Sequence, residues 1–278
     1  MLIDGRKIAD EIFTELAERV KQLLKPLRLA AVLVGENPGL RKFVELKKSA
    51  AQKAGIDFRT YEFPASITTQ ELRKKVVEIS KAQINSGVLV ELPLPPHINT
   101  QYILNAIPEE KDVDVLSQKS QGAFFTNRSQ ILPPAVEAVK TIFKKHGIEV
   151  KGKNCAVFGY GLLVGKPISH WLAQQGATVS IITEHTLDPK PYILSADIIV
   201  SGVGKPNLIT AEMVREGAIV IDFGYERQAG SGEPVAAIAG DVDFEAVSQR
   251  VSLITPVPGG VGPIVIASVL KNLVELSK

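Results

Sequence analysis

The chain has 278 residues, 45% hydrophobic and 22% charged, with a formal net charge of +2, which fits a globular protein of roughly two domains. The balanced, scattered charge leaves no footprint for nucleic acid or an anionic membrane surface, and no apolar run approaches the roughly 20 residues of a membrane span. The N-terminus runs into an amphipathic helix instead of a signal-peptide core, and the single Cys155 excludes an intrachain disulfide framework and has no partners for a zinc site, so a cytoplasmic, metal-independent protein is expected.

The first helix carries Ile8, Ile12, Leu16 and Val20 on one face. The apolar strand "RLAAVLVG" follows, and then a helix over "GLRKFVELKKSAAQKAG", residues 39–55. Its expected apolar stripe is Phe43, Leu46, Ala50, Ala51 and Ala54, with Lys47 in the middle of it, one turn after Phe43. "FRTYEFP" reads as a second strand, and "TTQELRKKVVEISKA" as a helix capped by Thr68 or Thr69 with Glu71 in its first turn. "GVLVELP" is a buried strand stopped by prolines. A short helix near 99–107 and the loop "PEEKDVDVLSQ" come next. Continuous apolar strands between helices predict parallel sheet covered on both faces.

A second series begins at Pro133 and Pro134, which suit the first turn of a helix. The strands "NCAVFG", "ATVSIIT", "DIIVSGV" and "AIVIDFG" then recur about every 20 residues, the rhythm of a doubly wound nucleotide-binding sheet. "GYERQAGSGEPVAAIAG", residues 224–240, is the one long loop. The last segment, from Gly262, is a helix whose apolar face exceeds what the second domain needs, and it is placed back against the first.

"CAVFGYGLLVGKP" follows a strand and opens a helix. Gly159, Gly161 and Gly165, with Leu162 and Val164 between them, form G-x-G-x-x-x-G, one residue longer than the usual fingerprint. Glycines let backbone approach a pyrophosphate, and the helix supplies free N–H groups and its positive end. Glu184, just past the second strand of this series, suits a ribose 2′-hydroxyl and would repel a 2′-phosphate, which favours NAD; His185 could instead accept a phosphate. Gly202 and Gly224 end the next two strands, where a nicotinamide ribose would lie. A solvated loop glutamate and a packed structural turn are the plainer readings of these same residues.

Taken in order, "DGRKIA", "VLVGENP", "LVELPLP", "EKDVDV", "VGKP", "GAIVIDFG" and "ITPVPGGVGPIV" carry a resemblance over essentially the whole chain. It is to the methylenetetrahydrofolate dehydrogenase/methenyltetrahydrofolate cyclohydrolase family. The resemblance implies two α/β domains with a cleft between them: an N-terminal folate or catalytic domain of residues 1–134 plus 262–278, and a C-terminal Rossmann NAD(P)-binding domain of residues 135–261. It implies oxidation of 5,10-methylenetetrahydrofolate with NADP or NAD, then hydrolysis to 10-formyltetrahydrofolate, in a homodimer with tetrahydrofolate one-carbon derivatives as its ligands. Lys47 matches the family's catalytic lysine, and Asp114 the aspartate that holds the pterin. Asp112 matches another acid of that motif, and Pro258, Gly259 and Gly260 the loop lining the folate and cofactor sites.

The chain departs from the family pattern at several of these positions. Phe43 stands for a tyrosine, Glu91 for a glutamine, Val115 for a glycine, Ala135 and Val265 for threonines, and Gly161 for a serine. A glutamate facing Lys47 would favour the ammonium form and make it a worse base, so the cyclohydrolase step is expected to be the weaker one. Alternatively, Glu91 is itself the catalytic acid or base, with Lys47 as its electrostatic partner. Two further readings stand beside the active enzyme: a dinucleotide-binding relative without folate turnover, acting as a binding or regulatory module, and an amino-acid dehydrogenase of similar build.

Overall fold

The computed structural model describes residues 1–227 and 238–278. The elements in the first half are α1 (Gly5–Lys21), β1 (Arg28–Val34), α2 (Pro38–Lys53), β2 (Asp57–Phe63), α3 (Thr69–Lys81), β3 (Gly87–Val90), α4 (Thr100–Leu104) and α5 (Gln118–Phe125). The second half continues with α6 (Pro134–Lys145), β4 (Asn154–Phe158), α7 (Gly165–Gln174), β5 (Thr178–Ile182), α8 (Lys190–Leu194), β6 (Ile198–Ser201) and β7 (Ile219–Asp222). It closes with β8 (Glu226–Arg227), β9 (Ile238–Ala239), α9 (Phe244–Ser248), β10 (Leu253–Ile254) and α10 (Val261–Leu276). The loop expected over 224–240 falls largely outside the described residues; its two ends pair as the antiparallel strands β8 and β9.

The contacts divide the chain into two compact units, Ala9–Pro134 with Ile266–Lys278 and Met1–Ile8 with Ala135–Val265. The sequence had placed residues 1–8 and 262–265 in the first unit. Backbone explains the difference at the N-terminus. Ile3 donates its N–H to the Ile254 carbonyl, and the Met1 carbonyl accepts from Ile254. These bonds lay the first residues alongside β10, next to the sheet of the second unit.

The first unit holds a parallel three-stranded sheet in the order β2-β1-β3. Strand β1 is buried along nearly all its length, as its unbroken apolar run predicts, whereas the edge strand β2 alternates exposed with half-buried positions. The core joins Leu16 of α1, Leu29 and Ala31 of β1, Ala50 and Ala51 of α2 and Leu89 of β3 to Ala267, Leu270 and Leu273 of α10. Helix α3 opens on a full capping box: Thr68 Oγ1 accepts from the Glu71 N–H, and the Glu71 carboxylate accepts from the Thr68 N–H. Helix α5, begun by Ser117 as its cap, was not expected; its mean amphipathic signal is weak because Gln118, Lys119, Gln121 and Gly122 break the apolar period.

The second unit holds a parallel five-stranded sheet in the order β10-β7-β6-β4-β5. The chain starts at β4, steps out to β5, and returns to β6 on the other side. That reversal is the topological switch point, and ligands of such sheets bind beyond the strands' carboxyl ends beside it. We predict that Leu273→Ala, which empties a fully buried site in the first unit's core, costs about 2–5 kcal/mol in equilibrium urea unfolding.

Candidate active site

In α2 the buried residues are Leu40, Val44, Ala50 and Ala51, and Leu46 is exposed. The apolar row is therefore Leu40, Val44 and Ala51, a correction to the stripe read through Phe43 and Leu46. Lys47 lies on that row, one turn from Val44 and one from Ala51, where a core side chain would stand. Its Nζ donates to both carboxylate oxygens of Glu91, at 2.7 and 2.8 Å. The two side chains are 16% and 5% exposed. Glu91 follows β3 directly, and its own N–H donates to the Val32 carbonyl, which fixes the carboxylate at the end of the sheet. Phe43 is half-buried one turn before Lys47.

Asp112 and Asp114 have separate surroundings although one residue parts them. Asp112 is 1% exposed, and its carboxylate accepts N–H bonds from Leu116 and Ser117. Those bonds hold the loop. Asp114 keeps a small exposed surface. Burial of its carboxyl pushes its pKa up to about 7, with Lys47 pulling it down and Glu91 and Asp112 pushing it further up. Val115 beside it takes φ +58, a left-handed conformation that strains a β-branched residue and that glycine would adopt freely. The chain accepts that strain at the turn which presents Asp114.

In the second unit the glycine turn is built for backbone, not side chains. The Gly159 N–H donates to the Ile182 carbonyl at the end of β5, and Gly159 takes φ +86. A Cβ on Gly165 would lie 2.0 Å from the Gly159 carbonyl oxygen, whereas one on Gly161 would meet nothing within 4 Å. Gly159 and Gly165 thus close the turn, and Gly161 with the half-buried Leu162 and Val164 lies on its open side. The open side and the N-terminal N–H groups of α7 fit a pyrophosphate. The same Gly159–Ile182 bond sets Glu184 and His185 just beyond that turn; their side chains are 82% and 87% exposed.

Gly202 and Gly224 have packing reasons of their own. A Cβ on Gly202 would strike Val164, and one on Gly224 would strike Asp241. Pro258 is exposed and Gly260 buried, while Gly259 takes φ +99 and its carbonyl accepts the Gly5 N–H. Gly5, passed over in the sequence, is the close partner of this loop: a Cβ there would overlap the Gly260 carbonyl.

Two buried acids were also missed. Asp241 accepts from the Ser201 hydroxyl and from the N–H groups of Val203, Gly204 and Lys205. Asp222 accepts from the N–H groups of Gly224, Asp241 and Val242. Together they fix the loops after β6 and β7, at the end of the sheet where folds of this kind bind ligands. A carboxylate closing an apolar run, as in "IVID", is the signal that could have pointed to Asp222; Asp241 follows β9 after one glycine and has no such signal.

A doubly wound sheet with an open glycine turn at its switch point, in a chain whose other unit buries an ion-paired lysine, defines a dinucleotide-dependent α/β enzyme. The profile of the tetrahydrofolate dehydrogenase/cyclohydrolase catalytic domain matches residues 3–114, and that of the family's NAD(P)-binding domain matches residues 133–278. The chain belongs to the tetrahydrofolate dehydrogenase/cyclohydrolase family. A curated relative, the bifunctional protein FolD of Nautilia profundicola, is 41% identical over 100% of this chain and 97% of its own. Among solved structures, the bifunctional enzyme FolD of Campylobacter jejuni is 37% identical with a TM-score of 0.94, covering 100% of this chain and 98% of that one. The Trypanosoma brucei enzyme, solved with NADP and an inhibitor, is 33% identical with a TM-score of 0.95, covering 100% and 97%.

The Asp114 surroundings carry a pH prediction. An ordinary carboxyl releases its proton near 4, whereas the folded chain holds the Asp114 proton up to about 7. Between those values the folded state binds more protons than the unfolded one, so this group's contribution to stability falls as pH rises from 4 to 7. Asp114→Asn should remove that part of the fall, seen as a flatter difference curve in urea unfolding measured from pH 4 to 8.

Proposed function

We propose that the roles of the two reactions are divided among Lys47, Glu91, Asp114 and the glycine turn as follows. The chain is an NAD(P)-dependent methylenetetrahydrofolate dehydrogenase and methenyltetrahydrofolate cyclohydrolase. Full-length family membership favours this over a binding module without turnover and over an amino-acid dehydrogenase. In the first reaction a hydride leaves the carbon bridging N5 and N10, and that carbon becomes part of an amidinium cation. When bound, the nicotinamide cofactor is the hydride acceptor. In the second, water adds to the same carbon, gives up a proton, and one carbon–nitrogen bond opens to leave the 10-formyl product.

The observation that carries the residue assignment is the buried ion pair between Lys47 and Glu91 beside a carboxyl with a raised pKa. Perturbed ionisable groups of this kind cluster where protons are exchanged. Asp114 suits the polar edge of a pterin, since a carboxyl near 7 can donate as well as accept hydrogen bonds. Lys47, with Glu91 bonded to it, is the group placed to exchange protons in the hydrolysis. Gly159, Gly161 and the start of α7 receive the pyrophosphate. A cytoplasmic homodimer is proposed on the family resemblance alone.

Turnover of 5,10-methylenetetrahydrofolate and hydrolysis of the methenyl compound, assayed separately, test the assignment. Lys47→Met should lower the hydrolysis rate by about 100-fold or more while the dissociation constant for dinucleotide stays within about twofold. Normal hydrolysis in that variant would refute the role given to Lys47.

The cofactor preference follows from Glu184. A carboxylate at the end of β5, beside the first glycine of the turn, accepts from a ribose 2′-hydroxyl and repels a 2′-phosphate. NAD should therefore bind at least about tenfold more tightly than NADP, and Glu184→Ser should narrow that ratio, both read by calorimetric binding to the folded protein. Tighter binding of NADP to the unsubstituted chain would overturn the preference.

A further inference from the structure

Helix α10 is apolar along most of its length, yet Asn272 stands in it only 2% exposed, among Leu270, Leu273 and Val274 of the first unit's core. A side-chain amide in such a place costs free energy unless it is bonded. Its Nδ2 donates to the Val113 carbonyl and to the Leu132 carbonyl, each at 2.8 Å. An amide nitrogen has two donors, so these two bonds use both. A leucine would fill the same space and leave both carbonyls without this donor.

Val113 immediately precedes Asp114, and the Val113 carbonyl shares one rigid peptide plane with the Asp114 N–H. A bond to that carbonyl therefore fixes the direction in which the Asp114 side chain leaves the backbone. On the far side of Asp114, Val115 takes φ +58, a conformation that a β-branched residue keeps only when its surroundings hold it. Other contacts seat the loop as a whole. Lys111 Nζ donates to the carbonyls of Ser80 and Ala82 at the end of α3, and Asp112 bridges to Val88 of β3. The Val113 side chain fits beside Gly87 of β3, where a Cβ would come within 2.6 Å of both Val113 and Leu273. These contacts place the loop. The Asn272 bond sets the rotation of the one peptide from which Asp114 projects.

Resting on the assignment of Asp114 to the pterin edge above, we infer that Asn272 is a positioning residue: its amide bond to the Val113 carbonyl holds the Asp114 carboxyl in the orientation that receives the substrate. Asn272 acts through the backbone of the loop and through Asp114. Hydrogen bonds to the pterin edge are made in the ground state and the transition state alike, so their loss falls on KM more than on kcat.

The test compares the unsubstituted chain with Asn272→Leu and Asn272→Ala, which both remove the donors, the first near the original volume. Leu16→Ala, in the same core but on α1, is the control for lost stability, and circular dichroism verifies that each variant is folded. Both Asn272 variants should raise KM for 5,10-methylenetetrahydrofolate at least about fivefold, with kcat changed less. The dissociation constant for dinucleotide should stay within about twofold in these variants, and KM should do the same in Leu16→Ala. In an Asp114→Asn background, adding Asn272→Leu should change KM by less than about twofold, because the group it positions is already gone. An unchanged KM in the folded Asn272 variants, an equal rise in Leu16→Ala, or an undiminished effect of Asn272→Leu in the Asp114→Asn background would each overturn the inference. If the unsubstituted chain does not turn over the folate, the reading of its function fails, and a 13C NMR titration of the Asp114 carboxyl then decides the positioning role by itself. A midpoint lowered by at least about half a pH unit in Asn272→Leu, as a displaced carboxyl gains water, supports the role; an unmoved midpoint overturns it.

Discussion

A parallel strand buried on both faces spends its length on apolar contacts, so every polar demand is pushed to its end. That constraint organises this protein. Strand β3 ends in Glu91, which takes Lys47 as its counter-charge. Strand β4 ends in a glycine turn closed by Gly159 and Gly165. Strands β6 and β7 end in loops whose N–H groups converge on Asp241 and Asp222. The polar groups of both units gather at these ends because a buried polar group without a partner is costly.

The two units meet this demand by different means. In the second, the buried acids are consumed by backbone donors and have little left for a ligand. Asp222 is held up to about 6 by burial even so, against the pull of three N–H groups. Such carboxylates fix loop shape. In the first unit Asp112 does the same for its own loop, but Lys47, Glu91 and Asp114 answer one another by charge. One ammonium faces two carboxyls there, and Asp114 retains a proton to higher pH. A cluster balanced in this way responds to any new charge placed within it.

Much of this was legible along the chain. The alternation of apolar strands and helices, the proline at the start of α6 and the capping box of α3 are local signals, and local backbone rules fix them. The glycine turn was legible for the same reason. The stripe of α2 was misread because Phe43 and Leu46 are apolar yet lie off the row that Leu40 and Val44 bury; periodicity gives a face but not which edge of it the sheet covers. Helix α5 was missed because polar residues and Gly122 interrupt its period. The placement of residues 1–8 depended on hydrogen bonds to Ile254, some 250 positions away, which no local pattern encodes.

The sequence by itself determined the class of fold, the order of the elements, the glycine turn and, through the family motifs, the pair of reactions, because each depends on residue type at short spacing. Only the tertiary structure decided which acids are free to act. Asp112 and Asp114 are alike in the sequence, and their difference comes from what lies around them: backbone N–H groups for one, an ion pair and desolvation for the other. Glu91 and Lys47 are 44 residues apart, and their pairing exists because α2 packs on β1, the strand to which β3 and the Glu91 N–H are hydrogen-bonded. The raised pKa of Asp114 likewise follows from three-dimensional neighbours that exist only once the chain has folded.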